Sequence, residues 1–415
     1  ELAKPFPLIK PFVVDATIYH NAGAGDVHEL GYAVAVGVEY VRALVDAGLT
    51  ADEAFGQIMF RVSATTEQFL TISRLRALRT LWNRVGEVLG VADEHRGAIQ
   101  HAVTSLRQLS RDDAYVNILR ATIATFAASA GGAEIQTVLP FDAVAGLPSD
   151  FSRRIARNVQ VLLGEESNIG RVNDPAGGSW YVESMTAQLG EKAWEVFQSL
   201  DADGFAAKLA DGTVAAQLDE LVATRAELLA TRKLPLTGVS MFPNYTETPV
   251  DAKPRPAAPE LGGLGVTRDA QVFEDLRDRS DKAREDGNPP KVLLACLGTR
   301  RDFGGREGFT SNLFQVAGIE TVVAEGERPL DFARRLEATG AKVAVLCSSS
   351  ALYKQQGLAT ARALKEAGAE RILLAGQLSE LGSEEAKGAV EGNVFDGMNV
   401  VDLLDSTLNL MGVSK

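Results

Sequence analysis

Apolar and polar positions in the first half of the chain alternate between two spacings, one typical of strands and one typical of helices. The run 12–18 is mostly apolar and predicts a strand. Thr50 with Glu53, and Ser110 with Asp113, have capping-box spacing and predict two helix starts. A long helix is predicted before them by apolar residues at helical spacing, namely Val27, Leu30, Val34, Val38, Val41 and Val45. Repeated strand–turn–helix units of this kind predict a parallel (β/α) architecture.

The last part of the chain begins a second series of apolar strands separated by helical segments. Strands are predicted at 291–297, 319–323, 342–347 and 371–374, and a final helix at about 400–411. This alternation predicts a doubly wound α/β domain of the flavodoxin type.

The segment between the two series is rich in proline and glycine. Proline-rich segments hold an extended form at low entropic cost, so we expect an extended linker that lies over a partner surface. We therefore divide the chain into a first domain at 1–235, a linker at 236–288 and a second domain at 289–415. The prolines and glycines that carry this prediction are Pro235, Pro243, Pro249, Pro254, Pro256, Pro259, Gly262 and Gly263.

Composition excludes some classes of partner. The 415 residues are 46% hydrophobic, and 55 acidic against 42 basic residues give a net charge of −13. This balance argues against nucleic acid, which needs a basic surface. No apolar run is long enough to span a membrane and no signal peptide is found. The two cysteines, Cys296 and Cys347, lie in apolar strand-like runs and predict reduced, buried thiols, so we expect a cytoplasmic protein.

A long motif connects the chain with a known family. The sequence at 147–158 (LPSDFSRRIARN) is followed by EES at 165–167 and by NDPAGGSWYVE at 173–183. Together these segments resemble the cobalamin-dependent methylmalonyl-CoA mutase family, and the resemblance covers nearly the whole chain. It implies the later part of a (β/α)8 TIM barrel, with an N-terminal portion absent, followed by a flavodoxin-like cobalamin-type domain. On chemistry alone Asp174 belongs to a turn, since Pro175 fixes φ and glycine supplies positive φ.

The resemblance also shows where the second domain departs from catalytic relatives. In those relatives a D-x-H-x-x-G motif follows the first strand of this domain, and its His binds the cobalt of cobalamin. Here Asp302 stands at the expected position of the His, and Phe303, Gly304 and Gly305 complete a degenerate loop. The four histidines all precede this domain, at His20, His28, His95 and His101. We therefore expect no metal ligand and no cofactor-binding residue in this chain.

The barrel site departs from the family as well. Tyr19 and His20 resemble the Tyr-His pair that lies over the substrate in catalytic subunits. The following residues, 21–25, differ from the Gln-Glu-Ala-Gly-Ala of the catalytic pattern, and Asp112 stands near the position of a substrate-holding Gln. A carboxylate there would repel an anionic acyl group. We interpret Tyr19 and His20 as vestigial and expect no catalytic residue.

These departures indicate which member of a heterodimer the chain resembles. Heterodimeric enzymes of the family pair a catalytic large (alpha) subunit with a diverged chain of the same fold. The chain would then stabilise the large subunit of an isomerase, and that subunit would carry the adenosylcobalamin. Two alternatives stay open at this point: an independently active cobalamin-dependent acyl-CoA mutase with an unusual cobalt site, and a regulatory module that assists cofactor loading.

Overall fold

The computed structural model of the protein describes residues 9–256, 263–326 and 328–413. It forms two compact units, the first comprising Glu1–Arg225 and Val250–Asp269, the second comprising Ala226–Pro249 and Ala270–Lys415. Pro259 and Gly262 of the predicted linker lie outside the described residues.

The first unit is built on four parallel strands. They are β1 (Phe12–Asp15), β2 (Ile58–Ala64), β3 (Gln100–Thr104) and β4 (Ile135–Thr137), and they lie in that order in the sheet. Each strand therefore pairs with the next one along the chain, as successive strands of a (β/α)8 barrel do. The predicted parallel α/β class is confirmed for this unit.

Among the described residues, nine α-helices lie between β1 and residue 230. They are α1 (Thr17–Asn21), α2 (Asp26–Asp46), α3 (Ala51–Phe55), α4 (Gln68–Val88), α5 (Val116–Ala130), α6 (Asp150–Val161), α7 (Trp180–Asp201), α8 (Phe205–Ala210) and α9 (Thr213–Ala230).

Local polar groups decide where two of the predicted elements end or begin. The strand predicted over 12–18 ends at Asp15, because its carboxylate accepts hydrogen bonds from the backbone N–H and hydroxyl of Thr17. The capping box of Thr50 and Glu53 is confirmed at the start of α3. The helix start predicted at Ser110 is wrong: α5 begins at Val116, and the Ser110 N–H donates to the side chain of Asn117 instead.

An aromatic cluster forms the centre of the first core. Trp82 of α4 is 1% exposed; its ring stacks on Phe55 with centroids 4.4 Å apart and meets Phe60 of β2 edge-on at 4.8 Å. Gly37 of α2 lies so close that a Cβ there would come within 2.8 Å of the indole. Close helix–strand packing therefore depends on glycine opposite tryptophan.

The second unit contains five parallel strands. They are β5 (Lys291–Leu297), β6 (Glu320–Gly326), β7 (Val343–Cys347), β8 (Arg371–Ala375) and β9 (Gly392–Val394), in the spatial order β6-β5-β7-β8-β9. This is the strand order 2-1-3-4-5 of flavodoxin-like folds, as predicted. Cys296 and Cys347 lie opposite each other in the register of β5 and β7, and both are free and wholly buried.

The second unit contains one helix that the sequence analysis did not predict. Helix α10 lies inside 236–288, so this part of the predicted linker is not extended. Its Phe273 and Leu276 are buried in the core of the second unit, and Arg279 binds Asp405 at 2.6 Å. In the described ranges no helix is long and apolar enough to cross a bilayer. The helices are α10 (Gln271–Glu285), α11 (Arg300–Gln315), α12 (Pro329–Thr339), α13 (Ser350–Leu352), α14 (Leu358–Glu366), α15 (Glu384–Gly388) and α16 (Val400–Leu410).

The Trp82→Ala substitution tests the aromatic core of the first unit. Removing a fully buried indole leaves a cavity between α2, α4 and β2, so the free energy of unfolding should fall by about 3–5 kcal/mol. The matched control is Trp180→Ala, because Trp180 is 92% exposed and its loss should change the value by less than about 0.5 kcal/mol. Denaturant unfolding followed by the remaining tryptophan fluorescence measures both. Equal effects of the two substitutions would contradict the packing described.

Candidate functional site

The predicted barrel residue His20 lies at the carboxyl edge of the first sheet, where it reaches from the end of β1 past β2 to the end of β3. His20 is on α1 directly after β1, and Ser105 directly follows β3. The imidazole Nε2 is 2.8 Å from the Ser105 hydroxyl, and Nδ1 is 3.2 Å from Oε2 of Glu29 on α2. All three side chains are buried. Nε2 of His20 therefore has a hydrogen-bond partner inside the protein, and Nδ1 faces the Glu29 carboxylate at ion-pair distance without forming a hydrogen bond.

A buried ion pair fixes the carboxylate beside His20. Glu29 Oε2 accepts a hydrogen bond from Arg74 Nη1 at 2.7 Å, and Oε1 accepts one from the Ser63 backbone N–H at 2.7 Å. The same Nη1 lies 2.8 Å from Asp26, while Nη2 donates to the Ser63 carbonyl. Charge-assisted bonds of this kind offset the cost of removing both charges from water.

Burial and neighbouring charge set the protonation states of this network. Burial lowers the pKa of His20, and the Arg107 guanidinium lowers it further, so the imidazole is neutral. Burial acts to raise the pKa of Glu29, but Arg74 and then His20 outweigh it and lower the value to about 2. Arg107 is also buried and donates from Nη1 to the carbonyls of His20 and Ala24, at 2.8 Å each. Arg107 therefore fixes the backbone that follows β1.

Tyr19 is directed away from this network. Its ring packs edge-on against Tyr32 and Phe205, with centroids 5.4 and 5.3 Å apart, and burial raises the pKa of its phenol. The structure therefore does not bring Tyr19 and His20 to one reacting point. His20 has internal contacts at both nitrogens, and Tyr19 belongs to the apolar core.

One polar arrangement in the first unit was missed in the sequence. A ladder crosses all four strands: Arg61 Nη1 binds Asp15 at 3.0 Å, Arg61 Nε donates to His101 Nδ1 at 3.3 Å, and His101 Nε2 is 2.8 Å from the Thr137 hydroxyl. These residues alternate along their strands with the buried residues Val14, Phe60 and Ala102. They therefore lie on the sheet face opposite the core. The occurrence of polar residues at alternate strand positions could have predicted this ladder from the sequence.

The Asp-Pro-x-Gly-Gly motif forms a clamped turn. Asp174 has φ of +45°, and both of its carboxylate oxygens accept from Arg76, at 3.0 and 2.9 Å. Arg76 also binds both oxygens of Glu183 on α7, and Glu183 accepts from the Gly178 N–H. The motif thus fastens the start of α7 to α4, in agreement with its interpretation as a turn.

In the second unit, the predicted degenerate loop is the first turn of a helix. Helix α11 begins at Arg300, three residues after β5 ends. Asp302 accepts from the Thr299 N–H at 2.9 Å and from its hydroxyl at 2.7 Å, and these bonds lower the pKa of Asp302. Phe303 is buried in the core, whereas Gly304 and Gly305 have open space where a Cβ would lie. Asp302 therefore acts as a helix cap.

The edge where this fold binds ligands is filled by the chain itself. In doubly wound sheets the crevice lies beyond the carboxyl ends of the strands where the strand order reverses, here between β5 and β7. Tyr353 is wholly buried at this edge. Its hydroxyl accepts from the Ser348 N–H at 2.8 Å and lies within 3.0 Å of the Leu346 and Ala375 carbonyls.

Arg306 also lies at this edge of the second sheet. It donates to the Ala375 carbonyl at 2.9 Å, binds Glu380 at 2.7 Å, and places its guanidinium 5.1 Å from the centre of the Tyr353 ring. Burial acts to raise the pKa of Glu380, but bonds from Ser350, the backbone of Gln377 and Arg306 lower it, so the pair is ionised. We name Arg306, Tyr353, Glu380 and Ser350 the crevice cluster.

The residues present do not fit a corrin cofactor. Ligation through an imidazole needs a His after β5, and no His occurs in 289–415. The crevice cluster lies at the carboxyl ends of β7 and β8, where it bonds to the Leu346 and Ala375 carbonyls. In the described ranges, no group of three or more His, Cys, Asp or Glu side chains is placed to hold a metal ion.

Comparison with known proteins adds two findings. The family model described as methylmalonyl-CoA mutase matches residues 2–282. The chain is 54% identical to the methylmalonyl-CoA mutase small subunit of Propionibacterium freudenreichii subsp. shermanii over 100% of its length, and 48% identical to that of Streptomyces virginiae over 99%. It is 39% identical over 97% of its length to a probable methylmalonyl-CoA mutase small subunit of Mycobacterium bovis. The chain spans 65% of the length of each of these relatives.

The buried network predicts how stability depends on pH. Because the folded pKa of Glu29 is depressed from 4.5 to about 2, its contribution is present above pH 4.5 and is lost as the pH falls toward 2. His20 has a folded pKa below 6.5, so its contribution is likewise lost as the pH falls below 6.5. The free energy of unfolding should therefore decrease on acidification through both ranges.

The Glu29→Gln substitution tests this dependence. It removes one of the two carboxylates that bind Arg74, with Asp26 remaining, and should lower the free energy of unfolding at pH 7 by about 1–3 kcal/mol. It should also flatten the pH dependence below 4.5. Glu87→Gln is the control, because Glu87 pairs with Arg84 on the surface and should leave both properties unchanged. An unaltered pH profile in Glu29→Gln would contradict an ionised Glu29.

Proposed function

Because the chain belongs to the methylmalonyl-CoA mutase family, we propose that it is the non-catalytic small subunit of a heterodimeric, adenosylcobalamin-dependent enzyme. The complex would interconvert methylmalonyl-CoA and succinyl-CoA in the cytoplasm, as part of propionate metabolism. The large subunit would carry the cofactor and the reacting groups. The names of the similar small subunits support this proposal.

The crevice cluster is the observation that carries the proposal. A cofactor tail needs open space beyond the strand ends, and here Tyr353 and Arg306 occupy that space with hydrogen bonds to the chain's own backbone. A lower cobalt ligand needs a neutral nitrogen donor, whereas Asp302 is engaged with Thr299. We therefore assign this unit the role of a degenerate cobalamin-type domain that keeps its fold.

The barrel network supports the same assignment. A His that positions a thioester carbonyl must offer one nitrogen to the substrate. His20 instead has Ser105 at one nitrogen and Glu29 at the other. We assign no step of the reaction to this chain. Its role would be to stabilise the large subunit through a broad interface between the two chains.

Cofactor content tests the proposal directly. The isolated small chain, mixed with adenosylcobalamin and passed through a desalting column, should show no corrin absorbance. The complex with the large subunit should retain about one cofactor per heterodimer and should show mutase activity. Stoichiometric cobalamin on the isolated chain, or turnover by it, would favour the alternative of an independently active mutase.

An Asp302→His variant separates the two obstacles to cofactor binding. It restores an imidazole after β5 but leaves Tyr353 and Arg306 in the crevice. We expect its corrin absorbance after desalting to equal that of the unmodified chain. Asp302→Asn serves as the control for the loss of the helix cap. Stoichiometric binding by Asp302→His would mean that the crevice is open and that only the ligand is missing.

A further inference from the structure

The outer face of α5 has an apolar character that a solvent-facing helix does not normally have. Leu119, Ile123 and Phe126 are all exposed, and Leu119 reaches 62%. Their spacing of four and three residues places them on one side of the helix, opposite the buried Ala121, Ala124 and Ala128. Helix α5 contains no Asp, Glu or Lys. A surface helix normally presents polar residues on this side.

Helix α6 adds exposed arginine side chains to this surface. Its Arg153, Arg154 and Arg157 are exposed and form no ion pair with any residue in the described ranges. Phe151 is exposed on the same helix, and the Arg154 guanidinium lies 5.5 Å from the centre of its ring. The acidic residue of α6 is Asp150, at its first position. The helix therefore adds cations and an aromatic side chain to the apolar stripe.

Aromatic contacts join the two helices into one surface. Phe141 stacks on Tyr115, just before α5, with centroids 5.0 Å apart, and it meets Phe151 of α6 edge-on at 6.1 Å. We name this surface the α5–α6 face and define it by Leu119, Ile123, Phe126, Phe151, Arg153 and Arg157. Exposed aromatic and arginine side chains around an apolar centre are the residues that contribute most binding energy at protein interfaces.

The charge of the α5–α6 face indicates what kind of partner would bind there. The whole chain carries a net charge of −13, yet this face, with the neighbouring Arg154, presents three arginines that form no ion pair with a carboxylate of the described residues. A second copy of the chain would bring predominantly negative charge overall, but isologous contact would present the same arginine-bearing face from both sides, without carboxylates to neutralise it. A different protein with carboxylates around an apolar centre would neutralise the arginines and cover the stripe.

We propose that the α5–α6 face is the surface through which this chain binds the large subunit, against an apolar partner face rimmed by carboxylates. This inference rests on the proposed function, because it takes the partner to be the large subunit of the heterodimer. The stripe on α5 supplies the apolar contact, and Arg153 and Arg157 supply the charge complementarity.

Thiol labelling can map this contact, because Cys296 and Cys347 are wholly buried. In Leu119→Cys, the new thiol is the accessible one. Leu330→Cys is its matched control, since Leu330 on α12 is 63% exposed. Maleimide labelling of the small chain, followed by intact mass, should be fast at both positions in the free chain. In the complex with the large subunit, labelling should slow by ~10-fold or more at Leu119→Cys alone.

Charge reversal provides the second measurement. Arg153→Glu with Arg157→Glu should weaken binding to the purified large subunit by ~10-fold or more, and added salt should reduce the difference. Arg334→Glu with Arg335→Glu, on the exposed side of α12, changes the charge equally and should bind as the unmodified chain does. Circular dichroism confirms that each variant is folded.

The outcomes separate the two proposals. If the unmodified chain and the large subunit form no complex, the proposed function fails, and this inference with it. If the complex forms while Leu119→Cys stays reactive, or while the charge variants bind equally, the inference fails and the proposed function stands. Slow labelling in the free chain would also overturn it, with size-exclusion mass distinguishing a second copy from a segment of the same polypeptide.

Discussion

Charged side chains that are removed from water must be paired within the protein, and this constraint governs both places where a ligand would bind. Glu29 forms an ion pair with Arg74 in the first unit, and Arg306 forms one with Glu380 in the second. In each case the partners also bond to backbone groups at the strand ends. Removing Arg74 would leave the buried Glu29 carboxylate without its cation, whereas the Arg306–Glu380 pair keeps partial contact with solvent. The same contacts that stabilise the two sheets therefore occupy the groups that chemistry would require to be free.

The sequence pattern predicted elements well where burial is uniform. Strand β5 coincides with 291–297 because the run is apolar throughout and ends at Gly298, whose φ is +88°. The end of β1 could not be read in the same way, since Asp15 closes the strand through a hydrogen bond to Thr17. Helix α10 was hidden because prolines dominate the composition of 236–288, although Phe273 and Leu276 already had helical spacing.

The candidate sites were predictable only as far as they depend on residue type. The lack of histidine after His101 is a property of the sequence and required no fold. The partners of His20 could be identified only from the fold. Arg107 and Ser105 follow His20 by more than 80 residues and contact it only because β1 and β3 belong to the same sheet. The ladder from Asp15 to Thr137 depends in the same way on strand order. Long-range contacts of this kind leave no local spacing to detect.

The crevice cluster also restricts which substitutions the second unit can accept one at a time. Replacing Arg306 with a small residue would remove one hydrogen-bond partner of the Glu380 carboxylate and uncover the Tyr353 ring, and replacing Tyr353 would leave the Ser348 N–H without its acceptor. Each single substitution is thus destabilising, and opening the crevice would require several of them together. Selection for stability alone would therefore retain the cluster, whether or not the crevice has a use.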